Sequence, residues 1–216
     1  MAKLRIGVMI SGGGTNLQAL IDACAAKDYP AEITVVISNR PAAGGLARAQ
    51  KAGIPTTALD HKAYDSKEDF EDALHKCLTD HKVQLVCLAG FMRLLNADFV
   101  NRWRDRIINI HPSLLPSYKG LHTHVRAIED GVRFGGCTIH YVRPEMDNGP
   151  ILMQAAVPIT PDETEESLIA KVLTFEHRMY PAAVRMIADG KVRVSGSKVL
   201  FLDTDLGEDG LVSPKI

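Results

Sequence analysis

The sequence predicts an α/β protein with a doubly wound, mostly parallel sheet and antiparallel segments added towards its C-terminal side. Three observations carry that reading. Short apolar runs rich in β-branched residues alternate with amphipathic stretches from Leu4 to Ile110, as a parallel sheet with crossover helices requires. A cluster of glycines separates the first run from the first amphipathic stretch. Beyond His124 the rhythm changes, and two extended stretches flank a turn.

Each element has its own signal. "LRIGVMI" (Leu4–Ile10) is a buried strand stopped by "SGGGTN",. From Asn16, the spacing of Leu17, Leu20, Ile21 and Cys24 gives an amphipathic helix,. "ITVVIS" (Ile33–Ser38) is a second strand, "GLARAQKAG" (Gly45–Gly53) a helix closed by glycine, and "PTTAL" a short strand. Ser66 and Asp69 suit the first turn of a helix over Ser66–His81,. Strands at Val83–Gly90 and Arg106–Ile110 enclose a helix through "NADFVNRW". "GCTIHYV" and "PILMQAAVPI" are extended segments about the turn "RPEMDNG". A long helix over Glu163–Gly190 carries one candidate kink at Pro181, and "VRVSGSKVLFL" closes as a hairpin about Gly196,.

The 216 residues fit one domain, expected to span 1–216, with no repeat or linker,. Apolar residues at 46% and charged residues at 24% suit a globular chain, and the net charge of −1 gives no reason to expect a nucleic-acid or membrane surface,. Cys24, Cys77, Cys87 and Cys137 stand apart, without metal-ligand spacing,. They read as free thiols in a reducing compartment, hence a cytoplasmic location. The N-terminal apolar run is too short for a signal peptide or a membrane span,.

"SGGGTN" leaves a strand and opens a helix, where glycine lets the backbone approach an anion and free N–H groups point at it,. We favour a phosphate site here over a merely tight turn. A dinucleotide fingerprint fails, because Leu17 stands where its third glycine belongs and Ser38, Asn39 and Arg40 follow the second strand in place of an acid,. Only a cofactor with a 2′-phosphate meeting Arg40 rescues a nicotinamide oxidoreductase, the runner-up. A phosphomonoester fits better.

"INIHPSLLPSYKGLHTH" (Ile108–His124) packs three histidines and two prolines into one connection. Alternation along a strand puts Asn109 and His111 on one face and Ile108 and Ile110 on the other. An amide donor beside an imidazole suits acyl chemistry: one stabilises a developing oxyanion, the other moves a proton. Pro112 and Pro116 stiffen the connection beyond His111,. Asp147, before Asn148 and Gly149, reaches His111 if the added strands lie beside the fifth, and its carboxylate then favours the charged imidazole; otherwise it is a turn residue. A metal site built on His122, His124 and His111 or His140 lacks an acid between His111 and His124,. No metal is expected, and His122, His124 and His140 are each assigned a hydrogen-bonded structural role.

"ISGGGTNLQALI", "SNR", "LAGFMRLL", "NIHPSLLPSYKGLHTH", "DNGPI" and "EHRMYP", in this order, resemble the glycinamide ribonucleotide formyltransferases, a folate-dependent formyltransferase family. The resemblance spans nearly the whole chain and weakens after about Gly190. It implies a Rossmann-like formyltransferase fold and transfer of a formyl group from 10-formyltetrahydrofolate, the co-substrate, to the amine of glycinamide ribonucleotide in purine biosynthesis. The partners implied are these two small molecules, with no nucleic acid or membrane, on a monomer or homodimer. By resemblance, Asn109 and His111 polarise the formyl oxygen, and Asp147 holds the protonated imidazole and moves a proton through water. Gly14, Thr15 and Asn16 meet the phosphate, with Glu176 and His177 on the ribonucleotide. Lys67, Met92, Arg93, Leu94, Leu95, Asn109, Arg143, Pro144, Glu145, Met146 and Asp147 contact folate.

Two departures stand out. The family often has Asp-Gly-Gly at Asp147–Gly149, where asparagine tolerates positive φ, and Gly-Asn-Gly-Ser-Asn at the glycine loop. Methionyl-tRNA formyltransferase carries an added C-terminal domain, and formyltetrahydrofolate deformylase a preceding regulatory one; neither is expected to carry "GLHTH". A non-enzymatic folate- or nucleotide-binding module has no need of Asn109, His111 and Asp147 together.

Overall fold

The computed structural model describes residues 2–202. Five strands run parallel: β1 (Leu4–Ile10), β2 (Ala31–Ser38), β3 (Thr56–Ala58), β4 (Leu85–Leu88) and β5 (Ile107–His111). β6 (Phe134–Tyr141) and β7 (Ile151–Pro158) extend the sheet antiparallel beyond β5, giving the order β3-β2-β1-β4-β5-β6-β7. The order reverses between β1 and β4, and open α/β sheets bind ligands in the crevice at such a switch. The glycine loop leaves the C-terminal end of β1, the segment containing Met92–Leu95 follows β4, and the histidine loop follows β5.

β1 and β4 are apolar on both faces because both are covered, as parallel strands must be. One core packs α1 (Thr15–Cys24), α2 (Gly44–Lys51) and α6 (Glu165–Ala188) against Val8, Ile10, Cys87, Ile108 and Ile110. The other packs α3 (Lys67–Asp80) and α4 (Ala97–Arg102) against Met9, Val86, Leu88 and Ile107. Tyr180 of α6, fully buried, donates its hydroxyl to the carbonyls of Leu88 and Ile108 and so ties β4 to β5 beside the histidine loop.

Helix ends follow the capping residues. Ser66 accepts from the Asp69 amide and starts α3. Thr164 and Ser167 form a reciprocal cap, so α6 begins at Glu165 and not at Glu163 as the sequence pattern suggests,. α6 runs on past Pro181 to Ala188. β8 (Val192–Ser195) and β9 (Lys198–Phe201) make the expected hairpin, with Gly196 at φ 61°. The expected domain over 1–216 includes Met1 and residues 203–216, which lie outside the described residues. Two elements are absent from the sequence reading: α5 (Thr123–Glu129) and a 3-10 turn at His61–Ala63. Each is short, and α5 buries only Thr123 and Ala127, too little to leave an apolar period,.

Among the described residues no helix is long and apolar enough to cross a membrane, and Cys24, Cys77, Cys87 and Cys137 are free thiols.

Candidate active site

The glycine loop is built from backbone. Gly14 caps α1 at φ 73°, in the left-handed region, and a Cβ there would stand 2.8 Å from the Gly45 backbone of α2. Only glycine fits both the angle and the space. The first turn of α1 carries no acidic residue of its own,. Asn16, buried in that turn, donates from Nδ2 to Glu176 Oε2 at 2.7 Å. Burial raises the Glu176 carboxyl above its ordinary range, partly offset by this hydrogen bond,. His177 is the next residue on α6, its imidazole held below the ordinary value by burial, with Nε2 buried and unpartnered among the described residues. Gly14, Thr15, Asn16, Glu176 and His177 thus gather where α1 packs on α6.

The second part is built from side chains. On β5, Asn109 pairs with His140 of β6 and His111 with Thr138. Ile108 and Ile110 point into the opposite core, as alternation requires,. The segment between β6 and β7 folds back so that Asp147 Oδ2 lies 3.5 Å from His111 Nδ1, and Oδ1 4.0 Å from His140 Nε2. His111 donates from Nε2 to the Tyr118 carbonyl at 2.9 Å, while the Gly120 amide donates to Asp147 Oδ2 at 2.8 Å. Both ring nitrogens of His111 therefore face acceptors, and an imidazolium presents an N–H to each.

The histidine loop is held rigidly. Thr138 donates to the Ser113 carbonyl at 2.7 Å and accepts from the Leu115 amide at 3.0 Å. Gln154 of β7 donates to the Leu115 carbonyl, and Ser113 to the Ser117 carbonyl. The Leu115–Pro116 bond is cis.

Positive φ falls on Asp147 itself, at 47°, and not on Asn148 as the turn pattern suggests. Aspartate reaches this region more readily than most residues. Gly149 has a different function, since a Cβ there would overlap the Tyr141 carbonyl oxygen.

A cavity opens between the segment after β4 and the segment after β6. Arg93, Leu94 and Leu95 line one side, Arg143, Pro144, Glu145, Met146 and Asp147 the other, with Asn109 at the base. Its walls mix apolar side chains with arginine and carboxylate, as small-molecule pockets do,. Met92 is exposed and does not line it; the Met92 amide instead donates to Ser11 Oγ at 2.8 Å. Lys67 lies outside it too, 3.8 Å from the buried Glu71 carboxylate. His111 stands behind Asp147, only 6% exposed.

His140 does more than fill the isolated structural role expected of it. Its Nδ1 donates to the Tyr141 carbonyl at 3.2 Å, leaving Nε2 to accept from Asn109 Nδ2 at 3.3 Å,. Burial holds this imidazole down to about 4, so it stays neutral and fixes which way the Asn109 amide points,. Only the register of β5 on β6 reveals this pairing. Among the described residues no group of three or more His, Cys, Asp or Glu side chains could hold a metal ion.

Comparison with known proteins places these features in a family. The formyl transferase family profile matches residues 4–184. The phosphoribosylglycinamide formyltransferase of Escherichia coli K12 is 43% identical over 191 residues, covering 88% of this chain and 90% of that protein. The trifunctional purine biosynthetic protein adenosine-3 of Gallus gallus is 47% identical over 192 residues, 89% of this chain; the chain spans 19% of that relative's length. A crystal structure of glycinamide ribonucleotide transformylase 1 from Symbiobacterium toebii aligns with a TM-score of 0.90 at 46% identity, covering 93% of this chain and 95% of that one. The chain belongs to the formyl transferase family.

Proposed function

We propose that this protein transfers the formyl group of 10-formyltetrahydrofolate to the amine of glycinamide ribonucleotide, giving formylglycinamide ribonucleotide and tetrahydrofolate. One observation carries the reading. Asn109 and His111 share one face of β5, and a carboxylate remote in sequence, Asp147, returns to within 3.5 Å of that imidazole. The chain's similarity to phosphoribosylglycinamide formyltransferases supports the choice of acceptor.

In this reading the ribonucleotide phosphate sits on the amides of Gly14, Thr15 and Asn16, and Glu176 and His177 face the ribose and glycinamide. The folate ring enters between Leu94–Leu95 and Arg143–Asp147. The amine attacks the formyl carbon, and the oxygen that becomes negative is met by Asn109, whose amide His140 holds in place,. The amine sheds a proton as the new C–N bond forms, and the folate nitrogen gains one as the old bond breaks. Asp147 and His111 handle that exchange, the carboxylate stabilising the imidazolium that forms. We place the reaction in the cytoplasm, an assignment supported by the four free thiols.

The test is a product assay. Purified protein with 10-formyltetrahydrofolate should formylate glycinamide ribonucleotide and release negligible formate without the acceptor. Formate release at the same rate with and without the ribonucleotide would make the protein a hydrolase instead.

A further inference from the structure

We propose that Arg48 of α2 is a positioning residue for the ribonucleotide phosphate, acting through the carbonyl of Gly13. The proposal rests on the phosphate reading of the glycine loop. Arg48 donates from Nε to the Gly13 carbonyl at 2.8 Å and from Nη1 to Gln18 Oε1 at 3.3 Å. Gln18 in turn donates to Asp22 on α1 at 2.8 Å. One residue earlier in the loop, the Gly12 carbonyl accepts from the Gly45 amide at 3.0 Å. Two successive loop carbonyls are thus turned towards α2.

A trans peptide sets its N–H opposite its C=O. Holding the Gly12 and Gly13 carbonyls against α2 therefore aims the Gly13 and Gly14 amides away from α2, at the start of α1 where the anion belongs. Neither amide has a hydrogen-bond partner among the described residues. The charged guanidinium also polarises the amide between Gly13 and Gly14 and strengthens its N–H as a donor. Glycine at 45 suits the close approach, because a Cβ there would overlap Ile10 Cδ1 and stand in contact with the Gly12 carbonyl and Gly14 backbone. The same guanidinium borders an open cleft of about 430 Å³ lined by Thr15, Gln18, Ala19, Asp22, Arg48 and His177, directly beside the loop. Its positive charge is near the phosphate without needing to touch it.

The test uses ribose 5-phosphate, ribose and tetrahydrofolate as probes of the wild-type protein, Arg48→Met and Arg48→Lys. Methionine matches the stem but neither donates nor carries charge. Arg48→Met should weaken ribose 5-phosphate binding and raise the ribonucleotide KM about tenfold, the scale of one charge-assisted hydrogen bond. Its kcat and its tetrahydrofolate affinity should stay within about twofold of wild type. Arg48→Lys should remain weakened several-fold, because an ammonium cannot hold Gly13 and Gln18 together as the fork does. Unchanged ribose 5-phosphate binding in Arg48→Met would overturn the proposal, as would an equal loss for tetrahydrofolate. Full recovery in Arg48→Lys would overturn it too, leaving only a long-range field. Should wild type bind ribose 5-phosphate no better than ribose, the phosphate reading fails, and this proposal with it.

Discussion

The two parts of the site are made of different material. At the glycine loop the recognising groups are backbone amides of adjacent residues, aimed by peptide planes and braced by Gly45 and Arg48. At β5 they are side chains drawn from far apart in sequence, with Asn109 and His111 on one strand, His140 on the next and Asp147 on the segment beyond. Backbone donors cannot change their charge, so in the proposed reading the loop serves binding. Side chains can take up and release protons, so in the same reading the β5 end carries the proton chemistry beside the folate cavity. The division predicts that damage at one end shows in affinity and damage at the other in turnover.

The largest expected effect is at the reactive end. Asp147→Asn keeps the shape but removes the carboxylate 3.5 Å from His111 Nδ1. It should lower kcat by about two orders of magnitude or more, the range of general acid–base catalysis, with KM for both substrates little changed. Steady-state kinetics on the folded variant measures this, and a near-normal kcat would leave Asp147 as a turn residue.

A smaller effect is expected at the binding end. Gly14→Val forces a β-branched residue to φ 73° and pushes its Cβ against the Gly45 backbone. The loop must separate from α2, at a cost of about 1–3 kcal/mol in backbone strain. Ribonucleotide affinity should fall about tenfold or more by titration while tetrahydrofolate binds nearly as before. Equal losses for both ligands would point to general misfolding and break the division.

The smallest effect concerns His140, whose imidazole burial holds at about 4 against an ordinary 6.5. Between these values the unfolded chain binds the extra proton and the folded one does not, so stability falls as pH drops through that window and levels off below it. From about pH 7 to pH 5.5 this group alone should remove about 1 kcal/mol. Denaturant unfolding of wild type and His140→Gln across that range should show a shallower slope in the variant. Identical slopes would mean that His140 is not held neutral.

The same contrast explains what the sequence discloses. Contiguous patterns are legible: the apolar strands, the Ser66 cap, the Gly196 hairpin and the glycine loop all rest on residues close together in the chain. Strand alternation correctly puts Asn109 and His111 on one face. Other features depend on how distant segments meet. The Asn109–His140 hydrogen bond arises from the register of β5 on β6, and Arg48 meets Gly13 only because α2 packs on the loop. The positive φ of Asp147 is hidden behind its neighbour because Asn-Gly is the commoner turn signal,. α5 escapes the pattern because its seven residues carry no apolar stripe. Lys67 and Met92, assigned to folate by resemblance alone, lie outside the cavity lining.

The division of labour is tested most directly by titrating glycinamide ribonucleotide into folded Asp147→Asn and measuring its dissociation constant. The glycine loop is untouched in that variant, so the constant should stay within about threefold of wild type, a free-energy change of roughly 0.7 kcal/mol or less. A loss of affinity as large as the loss of kcat would contradict the account, because Asp147 would then be holding the substrate and not moving its proton.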